Sequence, residues 1–532
     1  MYNGGMFHIR TTKTASGATA VQVVRYRYRN RVVAKHIGSA HSEKDIASLK
    51  KIAAQWIRQA IPQPPLFPPE KQWTPLPLVS TDQLRNLGFH HTFAYETLTK
   101  LLRLFYPDGG RYRMMLDLAL IRIIKPASKL ESFTLLEQLF GIHYRRTDFY
   151  RAISFFPVLK ETVETSVIAQ ARQHFCFDFR IVFYDVTTLY FESFTEDEDN
   201  LDNQGNVIEK GLRRTGFSKD FKFNQPQIVI GLIVTKEGFP VSYEIFEGNT
   251  FEGGTLIPLI AGFKNKYAIT DLTVVADAAM ISFENVNRLK QNELSYIVGA
   301  RIANLKRAEM ETIAASLGGQ SQSEKELAKR DGVSTRITTE RGLLICDFSI
   351  IRYRKDNREM EKQIQKAQKL IEKNTGEKKT KFLMLKKAKK KKGDRVYTLN
   401  TKLIERTKLL LGIKGYYTNL AETPDKTIID QYHNLWQVEK AFRIAKSDLQ
   451  TRPVYHFKRQ TIEAHILICF MALAVCKYLE LKTKKSTKAI VKLLMQVTDA
   501  RILHTLTGEE IILRSEISTE IEEILELLSL SH

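Results

Sequence analysis

Between residues 180 and 299, short apolar runs and helical periodicity follow one another in an order that few sheet topologies accept. Arg180 to Phe191 (RIVFYDVTTLYF) and Gln227 to Val234 (QIVIGLIV) are β-branched and aromatic runs, as strands are. The second is turned by Thr235 to Gly238 into a third, Phe239 to Phe246. Gly254 to Phe263 then reads as a crossover helix, Leu272 to Val275 as a short buried strand ending at Ala276-Asp277, Ile281 to Gln291 as a helix, and Ser295 to Gly299 as a strand. Three strands, helix, strand, helix, strand predicts an α/β domain whose helices cover a mixed sheet.

The flanking sequence differs in character. At 532 residues the chain is long enough for several cores, since single cores stop growing near ~250 to 300 residues. Residues 1–60 read as a small basic module: strand-like alternation from Phe7 to Gly38, then a helix from Ser42 to about Ala60. Seven prolines from Pro62 to Pro77 make 61–80 a linker, because proline removes a donor and fixes φ. Residues 81–175 read as helical, and Ser128 to Phe156 places two amphipathic segments either side of Gly141. That is either a DNA-reading helix-turn-helix, with Arg145, Arg146 and Arg151 on its second segment, or a structural hairpin. The sheet pattern occupies 176–300, is interrupted over 301–414, and resumes over 415–480, before a helical C-terminal region at 481–532. Within the interruption lie a strand at Leu343 to Ser349 and a charged helix from Asp356 to about Leu385. The tract Lys386, Lys387 and Lys389 to Lys392 is either a phosphate contact or a solvated loop.

Composition narrows the partners. Lys and Arg number 81 against 59 acidic residues, an excess of +22, which favours a polyanion. Lysine-rich codon usage would give the same excess. Four cysteines without paired spacing, Cys176, Cys346, Cys469 and Cys476, argue against a zinc site or a disulfide scaffold and fit a reducing, cytoplasmic setting. The most apolar stretch, Ile466 to Val475, is shorter than the ~18 residues of a membrane span. It reads as a buried helix, and no membrane partner is expected.

Three carboxylates stand out. Asp185 lies inside an apolar strand, where an unpaired charge would cost several kcal/mol; a buried ion pair or a ligand role would answer that cost. Asp277 follows a strand that leads into a helix, where sites collect in α/β sheets and where a capping aspartate also sits. From Ile428 to Leu449, a helix of ~100° per residue puts Tyr432, Trp436, Glu439, Arg443 and Lys446 within an arc of ~80°. Beside it runs a packing stripe of Leu435, Val438, Ala441, Phe442, Ala445 and Leu449. Carboxylates on two strands and a helix suit two Mg²⁺ ions about 3.5 to 4 Å apart that stabilise the attacking and leaving oxygens of a phosphodiester displacement. Hard oxygen ligands select Mg²⁺, or Mn²⁺ in its place. No P-loop and no G-x-S-x-G is present. His433, His465 and the acidic run Thr195 to Asp202 read as ordinary helix and loop residues.

The strand order is that of a ribonuclease-H-like domain, and over Ile181 to Val475 the sequence resembles the insertion-sequence DDE transposases. The branch it resembles is marked by Tyr, two residues, Arg, three residues, Glu, six residues, Lys, and by an insertion between the second Asp and the Glu. Here YHNLWQVEKAFRIAK supplies Tyr432, Glu439 and Lys446, while FYDVTTLYF and VVADAAM supply the two aspartates. Leu435 stands where the branch has Arg.

The resemblance implies a ribonuclease-H-like catalytic core interrupted by an insertion domain, N-terminal DNA-binding modules, and a helical C-terminus. It implies a metal site of Asp185, Asp277 and Glu439, with Tyr432, Trp436, Arg443 and Lys446 on DNA and Arg443 or another cation replacing the missing arginine. The activity would be cleavage at inverted-repeat ends and transfer of the 3′ end to target double-stranded DNA, by a homodimer or larger assembly. A nuclease of the same fold without strand transfer, and a host-adopted DNA-binding protein without catalysis, share much of this pattern. Retention of all three carboxylates argues against the second.

Overall fold

The computed structural model describes residues 7–27, 30–60, 83–106, 112–280, 282–317, 323–339, 342–373, 380–387 and 395–530. The proline-rich segment and most of the lysine tract lie outside them. The chain forms two compact units, one of Met1–Lys100, Phe133–His143 and Lys488–His532, the other of Leu101–Ser132 and Tyr144–Thr487.

The first unit contains an antiparallel sheet of Phe7–Lys13, Thr19–Arg27 and Asn30–Ala40, on which the helix Glu43–Ala60 packs. Val21, Val23, Ile37, Leu49 and Ala53 form its core, with Phe7 set edge-on against Trp56 at 5.4 Å. The alternation of small β-branched residues with arginines drives this, since only one sheet face needs burial. A second antiparallel sheet joins Leu84–His90 to Asp499–His504 and Glu510–Arg514. Two expectations are corrected here. Residues 81–175 are not wholly helical, and the C-terminal region is not either: a strand at 84–90 and a hairpin at 499–514 pair across more than 400 residues of sequence. Short strands with one exposed face carry little apolar signal, and pairing at that separation leaves none in a local window.

The second unit is built on an eight-stranded sheet. From one edge its strands are Ser334–Thr339, Gly342–Phe348, Ile413–Thr418, Ser295–Ala300, Thr273–Ala276, Ile181–Tyr190, Gln227–Val234 and Pro240–Glu247. The three middle strands, 295–300, 273–276 and 181–190, are parallel, and the other pairings are antiparallel. All eight residues of Gln227–Val234 are buried, as a central strand covered on both faces requires; each Ile, Leu or Val contributes roughly 1.5 to 3 kcal/mol.

The five strand runs of residues 180–299 are strands, within two residues at their ends. Ile413–Thr418 escaped the periodicity reading, and Ser334–Thr339 and Gly342–Phe348, within the interruption, extend the same sheet. The charged helix of this region spans Ile350–Glu372, and Leu383–Lys387 is a strand paired with Arg395–Leu399. The helix therefore ends about a dozen residues earlier than expected.

Helix Arg459–Thr483 is long and apolar enough to cross a membrane, yet 94% of its most apolar stretch is buried inside the protein. Cys346, Cys469 and Cys476 are buried and Cys176 is exposed, all as free thiols.

Candidate active site

The two faces of the Asp185 strand do different work. Tyr184 is fully buried and donates its hydroxyl to Thr255 Oγ1 at 2.6 Å on the helix Glu252–Lys266. Gly231 on the neighbouring strand makes room for that ring, since a Cβ there would sit 2.9 Å from the hydroxyl. Alternation then sends Asp185 to the opposite face with Thr187 and Leu189. Thr187 and Leu189 line one apolar cavity with Phe442, Ala445 and Lys446, so the Glu439 segment covers this face.

Parallel pairing sets Asp277 beside Asp185. Ala276 is in register with Tyr184, so the next residue on each strand is an aspartate. Burial pushes the part-buried Asp185 carboxyl up to about 6; Asp277 and Glu252 push the same way, while the Lys219 ammonium and the Val186 N–H oppose. Tyr432 donates its hydroxyl to Asp277 Oδ1 at 3.3 Å. Burial raises the Tyr432 phenol further above its ordinary range, with Asp277 and Glu439 adding to it. Gly299 lies under Tyr432, and a Cβ there would collide with its hydroxyl.

The segment carrying Glu439 differs from the continuous helix expected. Helix Asp425–His433 stops, Trp436–Arg443 begins a new one, and Ile444–Asp448 is a π-turn. The five residues of the proposed arc therefore lie on three separate elements. Trp436, 49% exposed, lies with Glu439 and Arg443 on the solvent side of the middle helix. Tyr432 is buried against Asp277. Lys446 is 12% exposed and turned to Asp220, its Nζ 3.6 Å from Oδ2. A π-turn changes the angular advance per residue, which a reading at 100° cannot register. The packing stripe is buried at Leu435, Val438, Ala441, Phe442 and Leu449, and part-buried at Ala445. Leu435, buried at the helix junction, occupies a place where a guanidinium would be desolvated.

Four charged residues near the aspartates carried no sequence signal. Lys219 Nζ donates to the Val186 carbonyl at 2.7 Å and pairs with Glu252 at 2.9 Å. Glu252 opens the crossover helix at the same end of the sheet. Asp220, one residue on, holds both Lys446 and Arg452. Lys414 stands with Nζ 4.5 Å from the Tyr432 ring centre. Burial lowers its pKa, helped by Arg352 and opposed by Asp347, Asp277 and Glu439. The acidic run also differs from expectation. Asp197 pairs with buried Arg213 at 2.6 Å and Asp199 accepts from the Gly211 N–H at 2.8 Å, so it clamps the chain that leads to Lys219.

Asp185 and Asp277 offer hard oxygen donors, and Asp185 lacks a full countercharge, which suits Mg²⁺ or Mn²⁺. Among the described residues no group of three or more His, Cys, Asp or Glu side chains is placed to hold one ion. Asp277 acts electrostatically on Asp185, and Asp277 and Glu439 both act on Tyr432 and Lys414.

No curated protein matches the chain. Among solved structures it is similar to the Mos1 transposase paired-end complex with left transposon end, at 14% identity over 52% of this chain and 77% of that one, with a TM-score of 0.16. That likeness is too slight to carry an argument. Residues 226–475, which include Asp277 and Glu439 and begin after Asp185, match the family described as Transposase DDE domain, and this match supports a DDE transposase.

Proposed function

We propose that the protein is a DNA transposase that binds the inverted-repeat ends of an insertion sequence, cleaves the phosphodiester there, and transfers the exposed 3′ hydroxyl to target DNA at the same site. The observation that carries this reading is the in-register pair Asp185 and Asp277 under a helix bearing Glu439, of which Asp277 and Glu439 lie inside the segment that matches transposase DDE domains. Asp185 and Asp277 would hold a divalent cation, with Glu439 as the third carboxylate. When bound, such a cation supplies Lewis-acid stabilisation of the charge that builds on the phosphoryl oxygens.

The chain's own residues do the rest. Tyr432 orients Asp277 through its hydroxyl, and Lys414 and Lys219 offset the mutual repulsion of the carboxylates. Trp436 and Arg443, exposed beside Glu439, position the DNA backbone. Lys446, held by Asp220, adds a further cation on the face of the Asp185 strand that carries Thr187. Cations near developing phosphate charge act where water is scarce and are worth several kcal/mol.

The test is to incubate purified protein with a duplex carrying the element's end and a target plasmid, with and without Mg²⁺. Metal-dependent cleavage at the end followed by covalent joining to the plasmid is expected. Cleavage without joined product would reduce the protein to a nuclease.

A further inference from the structure

A second feature of the same unit is a cavity of about 330 Å³ beside the chain that follows the π-turn. A water's share of liquid volume is about 30 Å³, so the space suits a much larger group. Arg122, Lys129, Arg452, His456 and His465 line it with Tyr455, and no acidic side chain does among the described residues.

The cations are built in. Arg122 is buried and fixed by three backbone carbonyls, Leu449 at 2.8 Å, Gln450 at 3.1 Å and Ala127 at 2.8 Å. Those bonds lock the guanidinium but neutralise nothing. Lys129 is 6% exposed, and its Nζ is buried with no hydrogen-bond partner. It is also the first residue of the helix Lys129–Phe140, capped by Ser128, which is the end where a cation is least favourable. His465 donates Nε2–H to the Thr451 carbonyl at 3.0 Å, and its Nδ1 has no partner. Burial, with Lys129 and Arg122 adding to it, pushes His456 down to about 4. A buried amine without a partner lowers stability unless something else uses it.

We infer that this cavity is a phosphate-binding site that seats one backbone phosphodiester of the bound DNA, away from the scissile bond, with Tyr455 at its rim for an adjoining base. The location supports this. Arg452 joins the cavity wall to Asp220, and Asp220 holds Lys446 and follows Lys219 of the aspartate site, so one run of DNA strand meets both. Tyr455 is 61% exposed, as a ring that stacks on a base should be. The inference rests on the DNA reading above.

The experiment compares full-length wild type with Lys129→Met and Tyr455→Ala, measuring end-DNA affinity against salt and the melting temperature of the free protein. Burial, with Arg122 adding to it, lowers the Lys129 pKa well below its ordinary value, so a seated phosphate is what would restore its proton; Lys129→Met keeps the volume and removes that unpaired amine. Its melting temperature should rise by a few degrees while DNA affinity drops about tenfold and the salt slope falls by about one. Tyr455→Ala should lose affinity with its salt slope unchanged. Inorganic pyrophosphate, titrated in parallel, should raise the melting temperature of wild type and not that of Lys129→Met.

A Lys129→Met protein that binds DNA as wild type does, with the same slope, overturns the site. If pyrophosphate alone discriminates the two proteins, the cavity takes a free anion and the assignment to DNA is overturned. A lowered melting temperature in Lys129→Met would make the lysine structural and overturn it as well. Wild type that binds no DNA at all would instead remove the functional reading, and this ligand with it.

Discussion

Asp185 is the residue whose environment is most at odds with its charge. Its carboxyl, raised to about 6 from an ordinary value near 4, makes the folded state bind an extra proton between those values. Stability therefore declines as pH rises from about 4 to 6 through this group, by on the order of 2 to 3 kcal/mol. Asp185→Asn removes the decline. In metal-free buffer at neutral pH it should melt higher than wild type while cleaving no DNA, and a melting temperature lower than wild type would show that the carboxylate is a structural partner. The pair Gly299 and Tyr432 offers a second check at this scale. Gly299→Ala forces its methyl group into the Tyr432 hydroxyl and should cost about 1 to 3 kcal/mol. Tyr432→Phe removes that oxygen, so adding it should recover part of the loss. Additive effects in urea unfolding would mean that the two do not touch.

At the scale of elements, the strands were legible because they are buried on both faces, and β-branched runs such as QIVIGLIV have few other uses. The register that brings Asp277 beside Asp185 was not legible, since a residue's partner across a parallel sheet depends on the length and path of the crossover. The Glu439 segment shows the opposite failure: its apolar stripe identified the packing face, but the break at Asn434 and the π-turn at 444–448 leave the apolar spacing nearly intact. Lys446 is consequently a residue of the Asp220 loop contact as well as of the helix. Burial, opposed by Asp220, lowers its pKa to about 8. Its ammonium loses its proton as pH rises through that value, so end binding should weaken there, and Lys446→Arg, which stays charged, should abolish the dependence. Unchanged binding of wild type from pH 7 to 9 would place Lys446 away from DNA.

Over the whole molecule, the +22 excess predicts that affinity for any duplex falls steeply with salt, because each neutralised phosphate releases counterions. A flat response between low and physiological salt would return the charge to composition alone. Two ends must be cut and joined together, so the 61.2 kDa chain should appear on end DNA as a complex of at least two copies, readable by sedimentation. The central claim is narrower: Asp185, Asp277 and Glu439 act as one metal-dependent site. It is tested most directly by end cleavage with Mg²⁺ and with Mn²⁺ for wild type and for Asp185→Asn, Asp277→Asn and Glu439→Gln. Wild type should cleave only with metal, and each variant should lose cleavage by at least a thousandfold, about 4 kcal/mol, while binding the end as before. Near-normal cleavage by Glu439→Gln would contradict the claim.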